Sequence, residues 1–169
     1  MDTIQQAPAP DLDAIIARVT EAFTNGATLG DLLGYDDTDY EALYALGHSF
    51  YAQARYLDAL KAFGFLVMNN PLERRFVNSY ASCLQMQKRH EDAIAFYGLA
   101  SMMEISNPGP IFHTAECLIA LGRIPEAVDA LSIVVGLCEK PDQEALKTRA
   151  QAMLDLLKAP QSENGRNPE

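Results

Sequence analysis

The chain repeats itself every 34 residues, and this constrains its fold more than anything else in it. Asp58-Ala59-Leu60, Asp92-Ala93-Ile94 and Glu126-Ala127-Val128 place their alanines at that interval. The same offset superposes Arg55, Arg89 and Arg123, and the small residues Gly47, Ala81 and Ala115. It also superposes four apolar or aromatic columns: Leu43/Val77/Ile111, Phe50/Leu84/Leu118, Phe63/Tyr97/Leu131 and Leu66/Ala100/Val134. A period of this length marks a supersecondary unit that cannot bury its apolar face alone and must stack on its neighbours. The small columns let two helices approach closely, and the large ones fill the space between successive pairs. The expected fold class is therefore all-α.

Period and columns together resemble the tetratricopeptide repeat. Residues 40–73 match best, through Leu43, Leu46, Gly47, Phe50, Tyr56, Ala59, Phe63 and Pro71. Residues 74–107 and 108–141 diverge more; Ile105 stands where proline is usual. The expectation is three tandem helix pairs in a right-handed superhelix, with an N-terminal helical lead-in and a capping helix over 142–157. All of this falls in one domain, 11–158, between mobile ends at 1–10 and 159–169. Helices are expected at about 12–24, 29–33, 38–53, 56–69, 73–87, 90–105, 109–121, 124–138 and 142–157, with boundaries loose by a few residues. Pro10-Asp11 can cap the first helix, and Thr28 with Asp31 forms a capping-box pattern for the second. Pro141 and the acids after it suit the first turn of the last helix. Gly26, Gly34 and Gly122 sit where helices end.

Charge narrows the function. The 169 residues carry a formal net charge of −10. Residues 1–54 hold nine acids against the single base Arg18. No basic stripe exists to neutralise phosphates, so nucleic acid is excluded as a partner. An anionic membrane surface is disfavoured for the same reason. No stretch approaches the roughly 20 apolar residues of a membrane span, and the first residues lack the basic and apolar regions of a secretory leader. Three cysteines without a CxxC pair fit a reducing cytoplasm.

Chemistry is sparse. His113, Glu116 and Cys117 share a helical face but lack further metal ligands, so packing and hydrogen bonding explain them better. Cys83 and Cys117 occupy one repeat column, where the first repeat has Ser49, which marks them as packing residues. The acidic run from Asp36 to Glu41 lacks EF-hand spacing and reads as a capped helix start. No nucleophile triad, phosphate-binding loop or nucleotide fingerprint is present. No enzyme activity, cofactor or metal is expected.

What the chain offers instead is a surface. In tetratricopeptide superhelices the first helix of each pair lines the concave side. The non-core positions there are Glu41, Tyr44, His48 and Tyr51, then Arg75, Asn78, Ser82, Gln85 and Met86, then Phe112, Glu116 and Ile119. Tyr44, His48 and Tyr51 follow i, i+4, i+7 and form a second aromatic stripe beside the core columns. Surplus tyrosines on such a face suit a peptide groove, with large area and a polar tip. The first helix has no lysine, which argues against a clamp for acidic C-terminal tails.

Three stretches then resemble one family, the class II chaperones of bacterial type III secretion, in its low-calcium-response (LcrH/SycD-like) group. They are Phe23–Leu29, Leu43–Ala59 and Phe112-His113-Thr114-Ala115-Glu116-Cys117-Leu118. The resemblance spans roughly residues 12–157. It implies an ATP-independent, homodimeric chaperone of the bacterial cytoplasm that binds hydrophobic translocator proteins and keeps them soluble for export. It implies that an extended client segment containing proline and leucine lies in the groove. Tyr44, His48, Tyr51, Arg75, Asn78, Ser82 and Glu116 are the corresponding groove residues, although relatives carry an aromatic at the position of His48, and the non-core positions add Met86 and Phe112 to the expected groove. Ile15, Ile16, Val19, Phe23, Leu29, Leu32 and Leu33 either form a dimer interface or cap the first repeat. A general tetratricopeptide scaffold joining two folded proteins is the alternative reading.

Overall fold

The computed structural model describes residues 12–159, with the side chains of all of them except residues 12–15 and 18. The expectations for 1–10, for the Pro10-Asp11 cap, for 160–169 and for the side chain of Ile15 lie outside the described residues. Helices run in the order α1 Leu12–Thr24, α2 Leu29–Leu33, α3 Asp37–Ala52, α4 Tyr56–Asn69, α5 Arg74–Met86, α6 His90–Met103, α7 Pro108–Ala120, α8 Ile124–Leu137 and α9 Glu144–Lys158. No strand occurs among the described residues. From α3 onward each helix packs on the next, so three antiparallel pairs stack in chain order and α9 closes the far end against α8.

The helix ends follow from local chemistry. Thr28 and Asp31 form the expected reciprocal box at the start of α2, and Asp36 with Asp39 forms a second at the start of α3. The acidic run is thus a helix start, where carboxylates satisfy orphan N–H groups and complement the dipole. Asn107 caps α7 by accepting from Gly109 N at 3.0 Å, with Pro108 in the first turn. The last helix begins later than expected. Pro141–Gln143 form a 3-10 turn, and α9 proper starts at Glu144.

One device recurs at every pair and explains the superposed arginines. Arg55, Arg89 and Arg123 precede α4, α6 and α8 with nearly identical φ/ψ of −83/60, −86/62 and −83/61. The residue before each is left-handed: Ala54 at φ 57, Lys88 at φ 60 and Gly122 at φ 73. Each arginine N–H donates back to the preceding helix, to Phe50, Leu84 and Leu118 O at 2.9 Å. Each guanidinium then pairs with the acid three residues on, Asp58, Asp92 or Glu126. The repeated tripeptides therefore couple a turn-bracing acid to a close-packing alanine. Ala59, Ala93 and Ala127 are all fully buried.

The core runs between the pairs. Phe63, Phe76, Tyr97 and Phe112 are its largest members, each no more than 1% exposed. Burying a side chain of this size stabilises the fold by about 1.5–3 kcal/mol relative to leaving it in water. Gly47 is needed where it stands, because a Cβ there would lie 2.6 Å from the Phe63 ring. Gly30 is needed likewise, because its Cβ would collide with the Tyr40 hydroxyl. That contact is how the short α2 seats on the first pair. The Tyr40 hydroxyl is itself buried without a hydrogen-bond partner.

The first pair departs from the expected core. Leu46 is 46% exposed, and Leu43 and Phe50 are only half-buried. With Phe65 they line an open depression of about 460 Å³. The reason is position: the later columns are filled from the preceding pair, with Leu60 in the cluster of Leu84 and Ile94 in that of Leu118, and among the described residues no helix pair precedes the first one. In the second and third pairs Val77, Leu84 and Leu118 are covered.

Candidate functional site

The first helices of the three pairs and α9 are linked side by side on one face. Arg75 of α5 donates to Glu41 of α3 at 2.6 Å. Gln85 of α5 donates to Glu116 of α7 at 3.2 Å, and Arg149 of α9 donates to the other oxygen of Glu116 at 3.3 Å. These partners are 34, 31 and 33 residues apart, about one repeat each.

At the first-pair end the face is aromatic. Tyr44 lies edge-on to His48 at 4.4 Å and packs on Phe63 at 5.8 Å and Phe76 at 5.5 Å between centroids. The Arg75 guanidinium sits 5.1 Å from the Tyr44 ring centroid. His48 is exposed, while Tyr44 and Tyr51 are half-buried, so each offers only part of its ring to a ligand. Tyr51 packs on Tyr56 at 5.2 Å, and burial pushes its phenol upward. Part of this stripe is thus spent on packing against Phe63, Phe76 and Tyr56, where the sequence pattern suggested a surplus aromatic face.

Farther along, the face becomes a polar network. The Tyr97 hydroxyl, on α6, donates to Gln85 Oε1 at 2.8 Å and lies 3.1 Å from Ser82 Oγ. His113 stacks on the Tyr97 ring at 5.3 Å, and its Nδ1 donates to Glu116 Oε2 at 2.9 Å. Glu116 is the hub. The His113 hydrogen bond holds its carboxyl below the usual range; burial opposes this, and Gln85 and Arg149 reinforce it.

Of the nine groove residues expected from the sequence, eight are at least partly accessible and one is not. Phe112 is fully buried, in the cluster with Leu131, Val134 and Leu154. The Arg149 guanidinium lies 4.8 Å from its ring centroid. A neighbouring helix, α9, covers this position, so the Phe112 ring offers no open surface in this structure. Two participants were missed. Tyr97 belongs to a second helix and stood in a core column, so no pattern flagged its hydroxyl. Arg149 stood on a helix read only as a cap, although its spacing from Glu116 is close to the repeat period.

The remaining candidates for chemistry are closed off. Cys83 and Cys117 are fully buried, and burial pushes their thiols up to about 12 and about 11. They are neutral at physiological pH and poor nucleophiles. His113 and Glu116 satisfy each other, while Cys117 points into the core. Among the described residues no group of three His, Cys, Asp or Glu is placed to hold a metal ion, and no helix is long and apolar enough to cross a membrane.

The lead-in presents apolar surface. Ile16, Phe23, Leu32 and Leu33 are 54%, 50%, 41% and 60% exposed, and Val19 is half-buried. Phe23 and Leu29 join Met68, Pro71 and Leu72 around an open depression of about 410 Å³.

Stacked helix pairs with a ligand-accessible face on the first helices define a tetratricopeptide-type binding domain. The tetratricopeptide repeat family model matches residues 44–100. The low calcium response locus protein H of Yersinia pseudotuberculosis is 32% identical over 134 residues, covering 79% of this chain and 80% of the relative. A structure of the Yersinia enterocolitica type III secretion translocator chaperone SycD, in an alternative dimer, superposes with a TM-score of 0.70 at 32% identity, covering 73% of this chain and 94% of that one. PcrH of Pseudomonas aeruginosa, in complex with the chaperone-binding region of PopD, superposes with a TM-score of 0.72 at 33% identity, covering 75% and 96%. The chain belongs to the class II translocator chaperones of type III secretion, the low-calcium-response group of tetratricopeptide proteins.

Proposed function

We propose that this chain is an ATP-independent holdase of the bacterial cytoplasm. It binds an extended, proline- and leucine-containing segment of a hydrophobic translocator protein along the face formed by α3, α5 and α7. The observation that carries the reading is the partly exposed aromatic set Tyr44, His48 and Tyr51, continued by Met86, which is 44% exposed. The tyrosines offer large apolar area with little conformational entropy to lose. Sequestering a membrane-destined segment needs no bond-making chemistry, consistent with the buried, neutral thiols and with relatives that are chaperones. The exposed lead-in residues Ile16, Phe23, Leu29, Leu32 and Leu33 serve a homodimer interface, in keeping with the dimer of SycD. A monomer mass in light scattering at micromolar concentration would refute that part.

The test is affinity capture from the native cytoplasm followed by mass spectrometry, then Tyr44→Ala with Tyr51→Ala. Wild type is expected to retain a translocator that is insoluble when expressed alone. The double variant is expected to bind it about 10- to 100-fold more weakly while keeping its helical circular dichroism. Unchanged affinity in the folded variant refutes the groove. Capture of folded, already soluble proteins alone would favour a scaffold.

A further inference from the structure

The polar end of the face has an imbalance of donors. Both oxygens of Glu116 are occupied, one by Arg149 and the other by Gln85 and His113. Arg149 has the opposite condition. Its side chain is 65% exposed, and the bond to Glu116 is its one hydrogen bond among the described residues. A guanidinium carries five N–H groups in a rigid fork, so most of them face solvent. Arg75, at the aromatic end, is spent differently, because Glu41 and Glu73 both accept from it. Arg149 is also held in place. Phe112 lies beneath its guanidinium and Glu116 beside it, and the two orient the fork along the face.

An extended segment containing proline has the complementary imbalance. It makes no internal hydrogen bonds, every residue offers a carbonyl, and each proline lacks an N–H. We propose that Arg149 is a further binding residue of the groove, donating to backbone carbonyls of the bound segment at the third-pair end. This rests on the groove reading above. It extends the binding face onto α9, with Phe112 as platform and Glu116 as orienting group.

The experiment uses the full chain and a synthetic peptide of the PopD chaperone-binding region, titrated by calorimetry. The variants are Arg149→Met, which keeps an unbranched apolar stem, Arg149→Lys, and the Tyr44/Tyr51 double alanine. A second peptide has every Asp and Glu replaced by Asn and Gln. Arg149→Met is expected to weaken both peptides about tenfold, with Arg149→Lys intermediate and thermal melting nearly unchanged. Wild-type affinity in Arg149→Met, with binding lost in the tyrosine variant, overturns the Arg149 proposal and leaves the groove standing. A loss confined to the carboxylate-bearing peptide overturns the carbonyl assignment. Failure of wild type to bind either peptide, or tight binding by the tyrosine variant, overturns the groove reading and this proposal with it.

Discussion

Replacing Gly47 by alanine tests whether close helix approach sets the architecture of the first pair. Two effects compete. Alanine in a helix interior is favoured over glycine by about 1 kcal/mol. Against this, the new Cβ would meet three Phe63 ring atoms at 2.6, 2.8 and 3.0 Å, where ordinary contact begins near 3.4 Å. Phe63 is 1% exposed and boxed by Tyr44 and His48 at 5.8 and 5.2 Å, so the ring has no empty space to enter. Overpacking of this kind costs about 1–3 kcal/mol. The net expectation is a loss of about 1 kcal/mol, or about 2–4 °C in Tm for a chain of this size. Because Phe63 supports Tyr44 and His48, the displaced ring is also expected to weaken client binding. Gly98→Ala and Gly136→Ala are the controls. Both lie within helices with nothing inside 4 Å of the added carbon, so both are expected to raise Tm. Thermal melting followed by circular dichroism reads all three. A Gly47→Ala variant as stable as the two controls would refute the close-approach argument.

Two further outcomes follow from the same structure. Lys88 holds a left-handed conformation at φ 60 in the column where the third pair uses Gly122, so Lys88→Gly is expected to leave stability unchanged or raise it by up to about 1 kcal/mol, and Gly122→Ala to lower it by about 1 kcal/mol; melting temperatures of opposite order would contradict the shared turn. Glu116 has a folded-state pKa below its unfolded value, so its contribution is complete above about pH 4.3 and is lost as pH falls through the lower folded value. Glu116→Gln is accordingly expected to flatten the acid side of the Tm–pH curve, and an identical slope would show that the network around His113 contributes nothing.

Much of the fold was legible because the repeat is written in residue size. The columns Ala59/Ala93/Ala127 and Phe63/Tyr97/Leu131 are buried in every pair, as their alignment implied. The helix ends were legible where a cap is local, as at Thr28 and Asp31. The reading failed at Leu46, which is 46% exposed because among the described residues no helix pair precedes the first one to cover it. The site was legible in outline only. The i, i+4, i+7 spacing of Tyr44, His48 and Tyr51 identified one face, but spacing within a helix says nothing about what a neighbouring helix covers. That is why the burial of Phe112 beneath α9, and the places of Tyr97 and Arg149 in the polar network, were not legible.

The sequence by itself determined the helical class, the number of pairs, the turn between the helices of each pair and the family. These depend on interactions within a few residues or at a constant offset, which a linear pattern records. Only the tertiary structure decided which side chains remain open to a ligand. The partial exposure of Tyr44, the occlusion of Phe112 and the surplus donors of Arg149 are set by contacts between neighbouring helices. Those contacts depend on how far each side chain reaches across the stack, and residue type and spacing alone do not encode that distance.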